Sequence, residues 1–197
     1  MLTNSITDYQ NLSFTTPLTD VKLGSVVMME HPADCYFSAN LEMIKQLLDQ
    51  GYKGVYISFQ RPFSNVKQLL TDSNIDIDQL SFIDAASALS GETQITDNHL
   101  ININEQIAVD DLVRAVYTSL DHLNGEKKFI FIDSLTTITL YKPLSETMRF
   151  SEFLVSTVKK EKNITLFFNV AKDLTQKRFI KDIAFRVDQV IGVDFHE

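Results

Sequence analysis

The sequence predicts an α/β fold in which a mainly parallel sheet carries helices on both faces. Short continuous apolar runs such as Val26 to Met29 and Phe129 to Asp133 have the form of strands buried on two sides, with no alternation toward water. Between such runs lie longer segments whose apolar residues recur at helical spacing. The two kinds of segment alternate along the chain. Strand, crossover helix and parallel strand is the usual way to thread such an order.

Residues 1–20 are polar with scattered apolar positions and predict an N-terminal arm that packs either on this domain or on a neighbouring subunit. Residues 21–197 then form a single domain, which suits the length of the chain. Val26 to Met29 is the first strand. From Ser38 to Gln50 the residues Leu41, Ile44, Leu47 and Leu48 line one helical face, with Ser38 as N-cap and Gly51 just past the end. Lys53 to Phe59 is the second strand, and Pro62 with Ser64 starts a helix through Leu70. The loop Gln60-Arg61-Pro62 therefore lies at the carboxyl end of a strand, the edge where open α/β sheets place their chemistry.

Leu80 to Asp84 predicts a third strand, and the polar stretch Ala85 to Asn98 a flexible excursion. Leu112, Val113, Val116, Leu120 and Leu123 mark a helix over Asp110 to Leu123, closed by Asn124-Gly125. Phe129 to Asp133 is a buried strand ending on a carboxylate. Phe150 to Glu161 reads as a helix, and Ile164 to Val170 and Val187 to Val193 as strands. The chain has no internal repeat and no low-complexity tract.

Hydrophobic residues make up 44% of the 197, and mean hydropathy is −0.04. No apolar run approaches the roughly 18 to 20 residues of a membrane span, so no membrane partner is expected. The start, MLTNSITDYQ, lacks the basic and apolar regions of a secretory signal, which makes a cytoplasmic location the expectation. The single cysteine, Cys35, excludes an internal disulfide and a cysteine-based zinc site. A net charge of −8 and a pI near 5.0 disfavour direct nucleic-acid binding, with Lys172 to Lys181 as the one candidate basic run.

Gly24 to Ser38, GSVVMMEHPADCYFS, stands where an early strand and helix would hold a phosphate-binding loop. Such a loop needs glycines that turn several N–H groups toward phosphate, a lysine for the outer phosphates and a hydroxyl for Mg²⁺. Laid on His31 to Ser38, that template meets His31 and Tyr36 at its glycines and Phe37 at its lysine. Only Ser38 fits. Forcing non-glycine residues into left-handed geometry costs about 1 to 3 kcal/mol each, so nucleotide affinity is expected to be poor or absent.

The segments GSVVMMEHP, GYKGVYISFQRP, IDIDQLSFIDAAS, KKFIFIDSLTTI, NITLFFNV and FRVDQVIGVD resemble, in this order, the core of a KaiC-like ATPase of the RecA superfamily. The resemblance spans roughly Lys22 to Asp194 and implies a RecA-like P-loop NTPase fold. By position it makes Asp133 the Walker B aspartate and Ser38 the Mg²⁺-binding hydroxyl, the two vestigial Mg-nucleotide positions. It makes His31, Tyr36 and Phe37 a degenerate Walker A loop, and sets Gln60 and Arg61 where the family shows a Glu-Glu pair. Loss of a general base alone costs roughly 10² to 10⁴ in rate. What the resemblance implies is a catalytically inactive relative without a cofactor, acting as a regulatory, signal-transduction or assembly subunit. Its implied partner state is a homo-oligomer, or a mixed ring with an active KaiC/RecA-like paralogue. Two alternatives are an ATP-binding or weakly hydrolysing enzyme with a remodelled site, and a recombinase-paralogue accessory protein in DNA repair.

Each of these residues also has a plain structural reading. Asp133 can accept hydrogen bonds from Ser134 and Thr136 in the turn that follows it. Tyr36 and Phe37 can fill the vacated pocket, a burial worth about 2 kcal/mol per ring. His31, Asp34 and Cys35 are too few for a metal site, and no metal is expected. Arg61 reads as an exposed loop residue, and Lys172 to Arg186, with Lys177, Arg178 and Lys181, as a solvated basic loop.

Overall fold

The computed structural model of the chain describes residues 12–91, 95–104, 106–174 and 178–195. Among them, β1 (Leu12–Phe14), β2 (Val26–His31), β3 (Lys53–Ser58), β4 (Leu80–Asp84), β5 (Leu100–Asn102), β6 (Lys128–Asp133), β7 (Ile164–Ala171) and β8 (Gln189–Phe195) form one sheet, in the order β1-β8-β2-β7-β6-β3-β4-β5. Every neighbouring pair is parallel except β1 with β8. The mostly parallel α/β fold read from the buried runs is the fold of the chain.

Successive residues of the central strands point to opposite faces and supply two cores. Val26, Met28, Ile130 and Ile132 pack on one side with α4 (Val109–His122) and α6 (Leu144–Lys160). Val27, Met29, Phe131 and Phe167 pack on the other with α1 (Tyr36–Asp49) and α2 (Phe63–Asp72). Gly54 lies directly across from Phe129, and a Cβ there would come within 2.0 Å of its ring. Only glycine leaves Phe129 room to lie flat against the neighbouring strand.

Several boundaries differ from the sequence reading. The first long helix begins at Tyr36, with Cys35 at the cap position, so Ser38 lies inside it and caps nothing. Burial of Tyr36 and Ala39 extends the apolar face upstream of Leu41. The helix expected from Phe150 begins at Leu144, after Pro143, and α5 (Leu135–Tyr141) precedes it. Within the expected excursion the chain forms α3 (Ala86–Ser90), and β5 follows it. Asp84 organises this region: its carboxylate accepts from the Phe63 N–H at 2.8 Å, the Ser87 N–H at 2.8 Å and the Ser87 hydroxyl at 2.6 Å. The last strand runs two residues later than read, because Asp188 instead pins the start of β2, its carboxylate accepting from the Val26 N–H at 2.9 Å.

Of the N-terminal arm, residues 12–20 lie on this domain. β1 extends the sheet at β8, and Leu18 is buried in the core on the α1 side. Residues 1–11 and, within the basic run, residues 175–177 fall outside the described residues. No helix among the described residues is long and apolar enough to cross a membrane.

Candidate functional site

The carboxyl ends of β2, β3, β6 and β7 meet α1 where the strand order reverses. From β2 the chain crosses over β7 and β6 before adding β3, so the turn into α1 stands above this edge. Open α/β sheets form their crevice at such a point.

A stack of side chains covers the turn. His31, 2% exposed, lies 4.9 Å from the Tyr36 ring, and Tyr36 lies 6.5 Å from the Phe37 ring. The Arg61 guanidinium sits 4.7 Å above Phe37 and donates to Asn65 Oδ1 at 3.1 Å. His31 Nδ1 lies 3.0 Å from the Pro32 carbonyl oxygen, so that nitrogen carries the proton and Nε2 is left as an acceptor without a partner. Burial lowers the His31 pKa, against a smaller rise from the Pro32 contact, and so favours the neutral ring. The loop after β3 is held by Ser58, whose hydroxyl donates to the Arg61 carbonyl oxygen at 2.5 Å and accepts its N–H at 3.2 Å. Gln60 Oε1 accepts from the Thr137 hydroxyl at 3.4 Å. Beside Gln60 a cleft of about 280 Å³ runs between Phe59, Ala86, Leu89 and Tyr141. The sequence-predicted positions His31, Tyr36, Phe37 and Arg61 are thus one contiguous group.

Asp133 lies deeper, at 0% exposure. It does not accept from Ser134 or Thr136, as the sequence reading had it: the Ser134 hydroxyl pairs with the Thr136 and Thr137 hydroxyls at 2.9 and 2.8 Å. Asp133 Oδ2 instead accepts a short hydrogen bond from the Tyr56 hydroxyl on β3. Register explains the meeting, since Ser58 pairs with Asp133 and Tyr56, two residues earlier, points to the same face. Burial pushes the Asp133 carboxyl up to about 8, with the Asn169 side chain pulling the other way. Burial also raises the Tyr56 phenol.

Asn169 on β7 donates to Asn40 Oδ1 on α1 at 2.9 Å. Looser electrostatic contacts run from Asn40 to the Tyr56 hydroxyl and from Asn169 to Asp133. Asn40 Nδ2 and Asp133 Oδ1 have no partner at hydrogen-bond geometry. The helix residue that faces this cluster is Asn40; Ser38, about 200° around α1 from it, is half-buried and takes no part in these bonds. Tyr56, Asn40 and Asn169 were missed in the sequence. Their signal was a polar residue at an apolar position: Asn40 shares a helical stripe with Ile44 and Leu47, and Asn169 interrupts a fully buried strand. His31, Asp34 and Cys35 do not join into a group of three metal-binding side chains, and none exists among the described residues.

No protein-family model matches the chain, and no curated protein does. Solved structures do. PH0321 of Pyrococcus horikoshii, solved in complex with an unknown peptide, superposes with a TM-score of 0.66 at 14% identity, over 87% of this chain and 78% of its own. The KaiC-like protein PH0186 of Pyrococcus horikoshii OT3 gives a TM-score of 0.60 at 17% identity, covering 88% of this chain and 74% of its own. PH0250 of the same organism gives 0.59 at 11%, with coverage of 87% and 83%. These likenesses define the class of fold: a RecA-type α/β fold shared with a KaiC-like protein.

Proposed function

We propose that this protein is a catalytically inactive KaiC-like protein of the cytoplasm that works as a regulatory, signal-transduction or assembly subunit through protein contacts. The observation that carries the reading is the Asp133 carboxyl, wholly buried and held by Tyr56. A magnesium nucleotide needs an ionised carboxylate that faces the metal water shell, and a cradle of backbone N–H groups with a lysine. Here burial favours the neutral acid, Ser38 is turned away from it, and His31, Tyr36 and Phe37 stand at the glycine and lysine positions. These residues do not suit the group, and no hydrolytic step is assigned to them.

Binding surfaces support the other half of the reading. Tyr141, which lines the cleft at Gln60, is exposed, and so are Leu140, to 73%, and Leu144. Exposed apolar side chains gathered within five residues support a contact site there. The fold neighbour PH0321 carries a peptide, which is in keeping with a scaffold that binds protein segments. The partner is a second copy of this chain or an active KaiC/RecA-like paralogue in a mixed ring. Isothermal titration with ATP and Mg²⁺, with the light-scattering mass taken before and after, tests the reading. The expected result is no heat at millimolar nucleotide and a mass above the monomer. Saturable heat at a defined stoichiometry would overturn it.

A further inference from the structure

Four polar side chains from four elements meet on the α1 side of the sheet: Asn40 from α1, Tyr56 from β3, Asp133 from β6 and Asn169 from β7. Asn40 and Tyr56 are 1% exposed, Asp133 and Asn169 0%. Burying two amides, a phenol and a carboxyl at the centre of an apolar layer is unfavourable unless they serve one another. Two bonds are made, Tyr56 to Asp133 and Asn169 to Asn40. Asn40 Nδ2, Asp133 Oδ1 and Asn169 Oδ1 make no further hydrogen bond, and the two pairs touch only through looser contacts. The Asn40 side chain is electrostatically coupled to the Tyr56 hydroxyl, and the Asn169 side chain to Asp133. Two hydrogen bonds and two looser contacts thus join Asp133, Tyr56, Asn40 and Asn169 into a ring, in which the bond from Asn169 to Asn40 ties the first turns of α1 to the sheet.

We infer that this ring replaces a magnesium-bound nucleotide as the cross-link between α1 and the carboxyl ends of β3, β6 and β7, so that the helix is clamped without any ligand. The inference rests on the reading of an inactive site and extends it: the polar contact that a metal would make through Asp133 is made here by the Tyr56 hydroxyl, with Asn169 beside it. Ser38, the hydroxyl that would serve a metal, stands outside the ring, and Asn40 occupies the face that looks at Asn169. The tie is uncharged when Asp133 carries its proton, and so suits a dry interior better than an ion pair.

The test is thermal unfolding of the full chain as single and paired variants. Asn40→Ala and Asn169→Ala should each lower Tm by about 3 to 8 °C, the cost of stranding a buried partner in a chain of this size. Made together they should lower it little further than the worse of the two, because members of one network do not add. Tyr56→Phe with Asn169→Ala should behave alike. Ser119→Ala, which breaks a bond to Ser81 elsewhere, should add in full to any of them. If the alanine variants do not fold, Tyr56→Phe with Asn169→Ser gives the same comparison. Strict additivity within the ring would overturn the cross-link whatever nucleotide does. A rise in the wild-type Tm on adding Mg²⁺ and ATP would instead sink the inactive reading, whatever the pairs show.

Discussion

The Tyr56 hydroxyl donates to the carboxyl of Asp133 from the adjacent strand, two residues before the register partner of that aspartate. Both groups are fully buried. A pH dependence follows with a definite sign. With the folded carboxyl near 8 and the unfolded one at its ordinary value of 3.8, the native state holds a proton that the unfolded state has lost throughout that interval. Stability from this group is fully present below the unfolded value and is lost as pH rises toward 8, by about 1 kcal/mol per pH unit. His31 acts in the opposite sense, its lowered pKa withdrawing stability as pH falls below 6.5. The clean window is therefore pH 6.5 to 8. Urea midpoints should fall across it, and Asp133→Asn should flatten the trend. A flat wild-type profile would show that Asp133 is ionised in the fold.

Gly54 sets the spacing of the two central strands. A methyl group there would stand 2.0 Å from the Phe129 ring, which is buried and cannot swing out. Gly54→Ala should cost about 2 to 3 kcal/mol in urea unfolding, in the range of overpacked cores. Phe129→Leu should cost less in the Gly54→Ala background than alone. Equal costs in both backgrounds would mean that the strands move apart to admit the methyl.

How far the sequence foretold these features depends on the kind of signal. Buried strands were legible because a strand covered on both faces must be apolar throughout, as in FIFID and ITLFF. The short α3 and β5 were not, because their residues are held by tertiary bonds to Asp84 and β4 and carry little pattern of their own. At the site, the loop template picked out His31, Tyr36 and Phe37, three residues that the fold stacks on one another. That Asp133 bonds across to Tyr56 could not be read, since it depends on a register between strands 77 residues apart in the bonded pair. Asn169 and Asn40 carried a usable hint, a polar residue where the apolar pattern demanded otherwise.

Asp84 holds the starts of α2 and α3 with three accepted bonds. Asp84→Ala leaves the Phe63 and Ser87 N–H groups buried and unpaired, for a loss of about 2 to 4 kcal/mol. Hydrogen exchange should locate the effect, with amides at Phe63 and Ser87 losing protection ahead of those in β6 and β7. A uniform loss across the sheet would place the role of Asp84 in the global core instead.

Leu140, Tyr141 and Leu144 contribute little to folding because they remain exposed. Leu140→Lys with Leu144→Ser should change the unfolding midpoint by less than about 0.5 kcal/mol, as surface substitutions do. If the patch is the contact surface, the same pair should lower the light-scattering mass of the assembled protein toward that of the monomer. An unchanged mass would move the contact elsewhere on the molecule.

A lysine at Phe37, where the phosphate-loop template has its lysine, tests the proposed inactive reading. Phe37→Lys places an amine where the outer phosphates would be met, yet Arg61 then loses the ring it stacks on, and a second cation stands beside it. The turn still carries His31 and Tyr36 where glycine backbone would approach the phosphate, and Asp133 remains buried beneath. A lysine adds a point charge but no cradle, so titration with ATP and Mg²⁺ should show no saturable heat for this variant at millimolar nucleotide. Saturable binding would mean that the backbone from His31 to Ser38 already has the shape of a phosphate loop, and that lysine alone was missing.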